Sequence, residues 1–520
     1  MEQTGRSMIV ETPSGPVQGM LVQTPDGLAR SFRGVPFAEV TERFRLAQAV
    51  SPRRKICTAT LPAPPAPQPA GGSVIGSERD CLTVNIWTPH AIEKPLPVLV
   101  WIHGGLHVMG SHNDPLCDGA RFAARTGTVV VAVNHRLGAL GFLTLDHLLG
   151  DDYRDSANLA LHDVLAALEW VRTHVGAFGG DPSAVTLGGQ SAGATMTAML
   201  LAAQRARGLF HRAILQSASP ERMGDRAYGE MVTDDLLGVL GLRASPRRVL
   251  DVPWQHIVAA QNELMARHLG DEGKGMAMFR AAVFRPALDG RLLTQSPMEA
   301  VRAGASADVD LIVGTNVNEA SRAVDLLGGD NERLQALVEQ QMPTLLPQWP
   351  TSHSTESEDG ATGCSDSRSA AYRNALASVL GHTPTDAESA ESCLTDERYR
   401  QPSQRLLDAR SNALASTRAF LFAWRATASL GATHSCELPF LFRTLNSAEA
   451  VAEVGPEAPS ELSDTMSARW SEFIAGRKPT GWPEYSSTHR STLVLAEKTH
   501  VEQAPREAIR RLVEAAQPAR

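Results

Sequence analysis

The chain has 520 residues, 43% of them hydrophobic and 20% charged, which supplies a sizeable core and excludes disorder over its whole length. Its 49 Lys and Arg against 57 Asp and Glu leave a net charge of -8, which argues against nucleic acid or an anionic membrane surface as the main partner. No apolar run approaches the roughly 18 residues of a membrane span, and the opening MEQTGRSMIVETPSG lacks the apolar stretch of a secretory signal, so a cytoplasmic location is expected.

In chain order, Met8 to Arg33 reads as short strands joined at the turn tripeptide Pro25-Asp26-Gly27. The Pro- and Ala-rich stretch 61–72 is expected to be a surface loop. Leu82 to Trp87, Pro97 to Ile102 and Thr128 to Val133 are apolar runs without alternation, as in strands covered on both faces. Asn158 to Val175 places Leu161, Val164, Leu165, Leu168 and Val171 at helical spacing. Ala184 to Leu187 reads as a strand and Ala192 to Ala203 as a helix. Further strands are expected at Ile214–Gln216, Leu311–Val313, Ala419–Trp424 and Thr492–Leu495. The polar stretch 351–370 reads as a mobile surface loop. Alternating strands and helices indicate an α/β protein with a mostly parallel sheet, and no break in composition divides the chain, so one domain over 1–520 is expected. The six cysteines form no C-x-x-C pair, so neither a metal nor a redox site is indicated. No dinucleotide or phosphate-loop motif occurs, so no cofactor is expected.

Gly189-Gln190-Ser191-Ala192-Gly193 lies between a strand and a helix. A serine at such a turn stands exposed at a helix N-terminus, and the glycines let the backbone fold tightly around it. Upstream, Trp101-Ile102-His103-Gly104-Gly105-Leu106 follows another strand, with Gly110 closing the loop. Its glycines allow backbone N–H groups to converge on one point. His103, His107 and His112 are close in sequence, but the intervening glycines oppose a single helix that would align them as metal ligands. In the order nucleophile, acid, base, the base would be one of His353, His382, His434, His489 and His500.

The chain resembles the type-B carboxylesterases, the family of cholinesterases and bacterial p-nitrobenzyl-type esterases. The resemblance rests on the serine motif together with Phe32-Arg33-Gly34-Val35-Pro36-Phe37-Ala38, Asp80-Cys81-Leu82-Thr83-Val84-Asn85-Ile86-Trp87, Asn134-His135-Arg136-Leu137-Gly138, Phe178-Gly179-Gly180-Asp181-Pro182 and Ala213-Ile214-Leu215-Gln216-Ser217. It implies an α/β-hydrolase fold: a large, mostly parallel central sheet flanked by helices, with helical insertions and a small N-terminal antiparallel sheet. It also implies a Ser-Glu-His triad. Gly314-Thr315-Asn316-Val317-Asn318-Glu319 is similar to the family's acid motif, and 431–440 resembles its histidine loop. The resemblance therefore assigns Ser191, Glu319 and His434 to catalysis and Gly104, Gly105, Leu106 and Ala192 to an oxyanion hole, acting on a small-molecule ester. Aryl carbamates or amides are alternative substrates for the same residues, and a non-catalytic binding protein is a distant alternative.

Several positions depart from the family pattern. Leu106 stands where the family has Gly or Ala. Gln190 replaces the glutamate that cholinesterases carry before the nucleophile. No tryptophan lies between Phe44 and Cys81, so a choline pocket is unsupported. Cys57 falls too early for the family's first disulfide with Cys81. Arg79 replaces the glutamate that pairs with the arginine matching Arg43, and Glu78 is the expected substitute.

Overall fold

The computed structural model describes residues 2–69, 76–269, 283–349, 368–411, 413–427 and 430–517. Seven parallel strands form its centre: Leu96–Ile102, Val129–Val133, Gly180–Gln190, Arg212–Gln216, Asp310–Asn316, Thr417–Phe422 and Ser491–Leu495. Antiparallel strands extend this sheet at both edges. Glu2–Val10, Val17–Thr24, Gly27–Pro36 and Thr83–Pro89 lie on one side, and His500–Gln503 on the other. The N-terminal antiparallel strands are thus continuous with the large sheet, and a separate antiparallel pair, Ala38–Glu39 with Gln48–Ala49, lies just after them in sequence. Gly27 closes the hairpin at the expected turn with φ of +125°, a value that favours glycine.

The central strands are buried on both faces, which explains their unbroken apolar runs. Along Leu96–Ile102 the side chains alternate between two cores. Val98, Val100 and Ile102 enter one, and Leu99 and Trp101 the other. The helices Leu159–His174 and Ala192–Ala202 form close to where the sequence places them. Against the first of these lies a fully buried ion pair, with Arg136 Nη2 2.6 Å from Asp163 Oδ1 and Arg136 Nε 2.8 Å from Asp163 Oδ2.

Strand Leu96–Ile102 pairs on one side with Val129–Val133 and on the other with Gly180–Gln190. Chain order reverses at this point, and in open α/β sheets the crevice beyond the strand ends at such a reversal is where ligands bind. The register sets Ile102 beside Gly189, so the glycine loop and the serine turn leave the sheet side by side.

Both loop expectations fall partly outside the described residues. In the 61–72 stretch Pro65, Ala66 and Pro67 are buried, and Gln68 ties the loop inward by bonding both the N–H and the carbonyl of Gly110. Residues 70–75 lie outside the described residues. Of 351–370, residues 351–367 also lie outside them, whereas 368–370 open the helix Arg368–Leu380. This helix joins Asn331–Leu345, Asp386–Thr395 and Glu507–Ala515 around a third apolar core. Among the described residues no helix is long and apolar enough to cross a membrane.

Candidate active site

Ser191 sits between the end of its strand and the first turn of Ala192–Ala202, with φ of +56° and ψ of -121°. That conformation is strained for a residue with a side chain. It is maintained because Ser191 N donates to Gln216 O of the adjacent strand at 2.9 Å, while Ser191 O accepts from Thr195 N. The flanking glycines are required by space. A Cβ on Gly189 would lie 2.5 Å from the Gly193 carbonyl carbon, and one on Gly193 only 2.1 Å from Ile102 O.

Glu319 follows strand Asp310–Asn316 and is 1% exposed. Its Oε1 accepts from Asn316 N at 2.7 Å and from Ser217 Oγ at 2.6 Å. Its Oε2 accepts from His434 Nδ1 at 2.6 Å. The imidazole is therefore held through Nδ1–H, and Nε2 remains the acceptor in the neutral ring. That Nε2 lies 3.2 Å from Gln190 Nε2, so the amide next to the serine, rather than Ser191 Oγ, donates to it. Among the described residues Ser191 Oγ makes no hydrogen bond. Of the other candidate bases, His382, His489 and His500 are exposed, and His353 lies outside the described residues.

Burial would lower the His434 pKa, but the hydrogen bond and charge of Glu319, with Glu437 and Glu453 behind it, outweigh burial and raise it above the ordinary imidazole value. Glu437 is fully buried, accepting from Gln216 Nε2 at 3.0 Å and from Asn316 Nδ2 at 2.7 Å. Burial and the nearby charge of Glu319 push its pKa up to about 7. Asn316 also donates to Thr433 O, so one side chain ties the acid loop to the histidine loop. Tyr399 lies against the imidazole with ring centroids 5.0 Å apart. It comes from a π-helical turn, Asp396–Arg400, whose Arg400 donates to the carbonyl of Val317.

A Cβ on Gly104 would stand 3.2 Å from Ser191 Cβ, so the glycine loop passes directly beside the serine. Among the described residues the N–H groups of Gly104, Gly105, Leu106 and Ala192 make no hydrogen bond to the protein. Leu106 and His107 have φ of +56° and +63°. The three loop histidines are buried with separate partners. His103 stacks on His135 at 4.6 Å, His107 meets the edge of Phe142, and His112 bonds Thr83 Oγ1 at 2.8 Å. Burial and then the His135 charge push the His103 pKa down to about 3. Arg43 and Glu78 form the expected substitute pair, with both guanidinium–carboxylate contacts at 2.5 and 2.6 Å. Cys57 and Cys81 are both free thiols.

Sequence reasoning missed the roles of Ser217, Asn316, Glu437 and Tyr399. Ser217 and Glu437 lie inside motifs that the sequence displays, whereas Tyr399 carries no local signal. It reaches the site only because the inserted helices fold back over the sheet ends.

The carboxylesterase family model matches residues 6–512. The chain is 31% identical over 519 residues to a para-nitrobenzyl esterase of Bacillus subtilis (strain 168), covering 96% of each. It is 30% identical to a phenmedipham hydrolase of Pseudarthrobacter oxydans, covering 94% of this chain and 95% of that one. Among solved structures, a carboxylesterase of Geobacillus stearothermophilus superimposes with a TM-score of 0.80 at 28% identity, covering 97% of this chain and 99% of that one. The chain thus belongs to the carboxylesterase family, has the α/β-hydrolase fold and is a carboxylic ester hydrolase.

Proposed function

We propose that ester cleavage proceeds by two acyl transfers, with Ser191 as nucleophile, His434 as general base and Glu319 as the carboxylate that orients the base. The observation that carries this reading is the 2.6 Å bond from His434 Nδ1 to Glu319 Oε2, which leaves Nε2 unprotonated on the serine side of the ring. In the first step the Ser191 hydroxyl turns to His434 Nε2, displacing the Gln190 amide, and gives up its proton as Oγ attacks the ester carbonyl. Catalytic hydrogen bonds of this kind tighten in the substrate complex. The N–H groups of Gly104, Gly105, Leu106 and Ala192 supply donors to the developing oxyanion, since no protein acceptor among the described residues uses them. The imidazolium then protonates the departing alkoxide. Water, activated by the same ring, releases the acid from Ser191.

A p-nitrobenzyl ester is the first substrate to try, because one relative carries that activity in its name. A fluorophosphonate should label the wild-type chain on Ser191 and leave Ser191→Ala unlabelled. That variant should lose about 10^4- to 10^6-fold in kcat while keeping the wild-type melting curve. Retention of a tenth of the wild-type rate would remove Ser191 from the mechanism.

A further inference from the structure

The loop that carries Glu319 is gripped on both sides by the inserted helices. Before Glu319, Arg400 Nη2 donates to Val317 O at 2.7 Å and to Asn316 O at 3.3 Å. Beside and after it, Asn318 Nδ2 donates to Glu391 Oε2 at 3.2 Å, and Ala320 N donates to Thr395 Oγ1 at 3.1 Å. Thr395 Oγ1 in turn donates to Glu391 Oε1 at 2.6 Å. Glu391, Thr395 and Arg400 all come from one stretch, the helix Asp386–Thr395 and the π-helical turn Asp396–Arg400 that continues it.

Arg400 is the centre of this grip. Asn316 N donates to the Glu319 carboxylate while Asn316 O accepts from Arg400, so a single residue stands between the guanidinium and the carboxylate. The guanidinium is itself fixed. Its Nη1 donates to Asp396 Oδ1 at 2.6 Å, and the fully buried Asp396 also accepts from the Tyr372 hydroxyl. The preceding residue, Tyr399, lies against the imidazole. Successive residues of one turn thus meet the His434 ring and the backbone that carries its partner, and π-helical turns often mark functional sites. The charged and titratable groups around Arg400 are Asp396, Glu391, Tyr372 and Arg506. Those around His434 are Glu319, Glu437, Glu453 and Tyr399. The 2.6 Å bond from His434 Nδ1 to Glu319 Oε2 is short and charge-assisted, and such bonds weaken steeply when their geometry is disturbed.

We infer that Arg400 is a positioning residue for the Glu319–His434 pair, through which the inserted helices hold the carboxylate in register with the imidazole. It touches neither the ester nor the ring and acts by fixing the two carbonyls that lead into Glu319. The inference rests on the proposed roles of His434 and Glu319 for its effect on rate, but the bond between them can be observed without turnover.

Steady-state kinetics of p-nitrophenyl acetate across pH, with proton NMR of the same chains, test it. In wild type the proton between His434 and Glu319 should give a far-downfield resonance that Glu319→Gln abolishes. Arg400→Gln should move that resonance upfield, lower kcat about 10- to 100-fold, leave KM within about twofold and shift the acid limb of kcat/KM to lower pH. Because Arg400 is mostly buried and its replacement could unfold the chain, Arg400→Lys provides a second variant. It keeps a cation beside Asp396 but has one ammonium where the guanidinium has two arms, so the same changes should appear with a loss of about two- to tenfold in kcat. A folded variant whose resonance and acid limb both stay at the wild-type position overturns the inference whatever its kcat, since a general weakening of the fold would lower activity without moving either. A resonance that moves in the Arg400 variants while kcat holds in them and in Glu319→Gln would support the positioning and sink the proposed function.

Discussion

Among the described residues His434 has two hydrogen-bond partners, and they act on the ring in different ways. Glu319 favours the charged ring, and Gln190 occupies the lone pair that the neutral ring offers. With the neutral ring as the proposed base and its pKa raised, kcat/KM should fall as pH drops through a value above 6.5. Glu319→Gln should move that limb to lower pH and lower kcat by about 10^4-fold. An acid limb below 6.5 in the wild type, or one that Glu319→Gln leaves in place, would contradict this account of the ring. Leu106 is a second residue-scale case. Its φ of +56° costs a branched residue on the order of 1 kcal/mol, which glycine would not lose. Leu106→Gly relieves that cost, but it also removes an apolar side chain packed against the core and adds backbone freedom to the unfolded chain, so the chain should be no more stable to chemical denaturation than wild type. It should also raise the ratio of kcat/KM for bulky acyl esters over acetate esters. A flat or falling ratio would place the Leu106 side chain away from the acyl group.

At the scale of elements, the site is assembled from turns that leave neighbouring strands at the same end of the sheet. Asn316 bridges the acid and histidine loops, and Glu437 anchors the second of these beneath Gln216 and Asn316. Glu437 has its folded pKa raised from 4.5 to about 7, so the folded state holds its proton where the unfolded chain releases it. Its contribution to stability is therefore largest below 4.5 and declines as pH rises to about 7, a loss on the order of 3 kcal/mol. Glu437→Gln should remove that slope from urea midpoints measured across this window. An unchanged slope in the variant would assign the pH dependence to another group.

For the whole molecule, the buried pair Arg136–Asp163 joins the loop after strand Val129–Val133 to helix Leu159–His174. Removing one partner leaves an uncompensated charge in the core, so Asp163→Ala should destabilise by about 3–5 kcal/mol. Replacing both residues by apolar side chains of similar volume should recover much of that loss. A urea midpoint for Asp163→Ala within error of wild type would show that the pair contributes little.

The local elements that frame the proposed site were legible in the sequence. Unbroken β-branched runs marked the strands, because a strand covered on both faces has no polar side to alternate with. The glycines around Ser191 marked the turn, because a side chain at either would collide with the backbone. The proposed catalytic residues Ser191, Glu319 and His434 were chosen over other serines, glutamates and histidines by their place after strands and by the motifs around them. Only the tertiary structure decided which side chains complete the site. Residues that meet through parallel strands carry no shared local period, so the Gln190 contact to His434 and the bond from Ser217 to Glu319 follow from strand order and register. The helices Asn331–Leu345, Arg368–Leu380, Asp386–Thr395 and Glu507–Ala515 pack mainly on one another in a third core, and their short amphipathic patterns gave no sign of direction. Tyr399 joins this core and lies against the imidazole, a placement that depends on distances across the fold rather than along the chain.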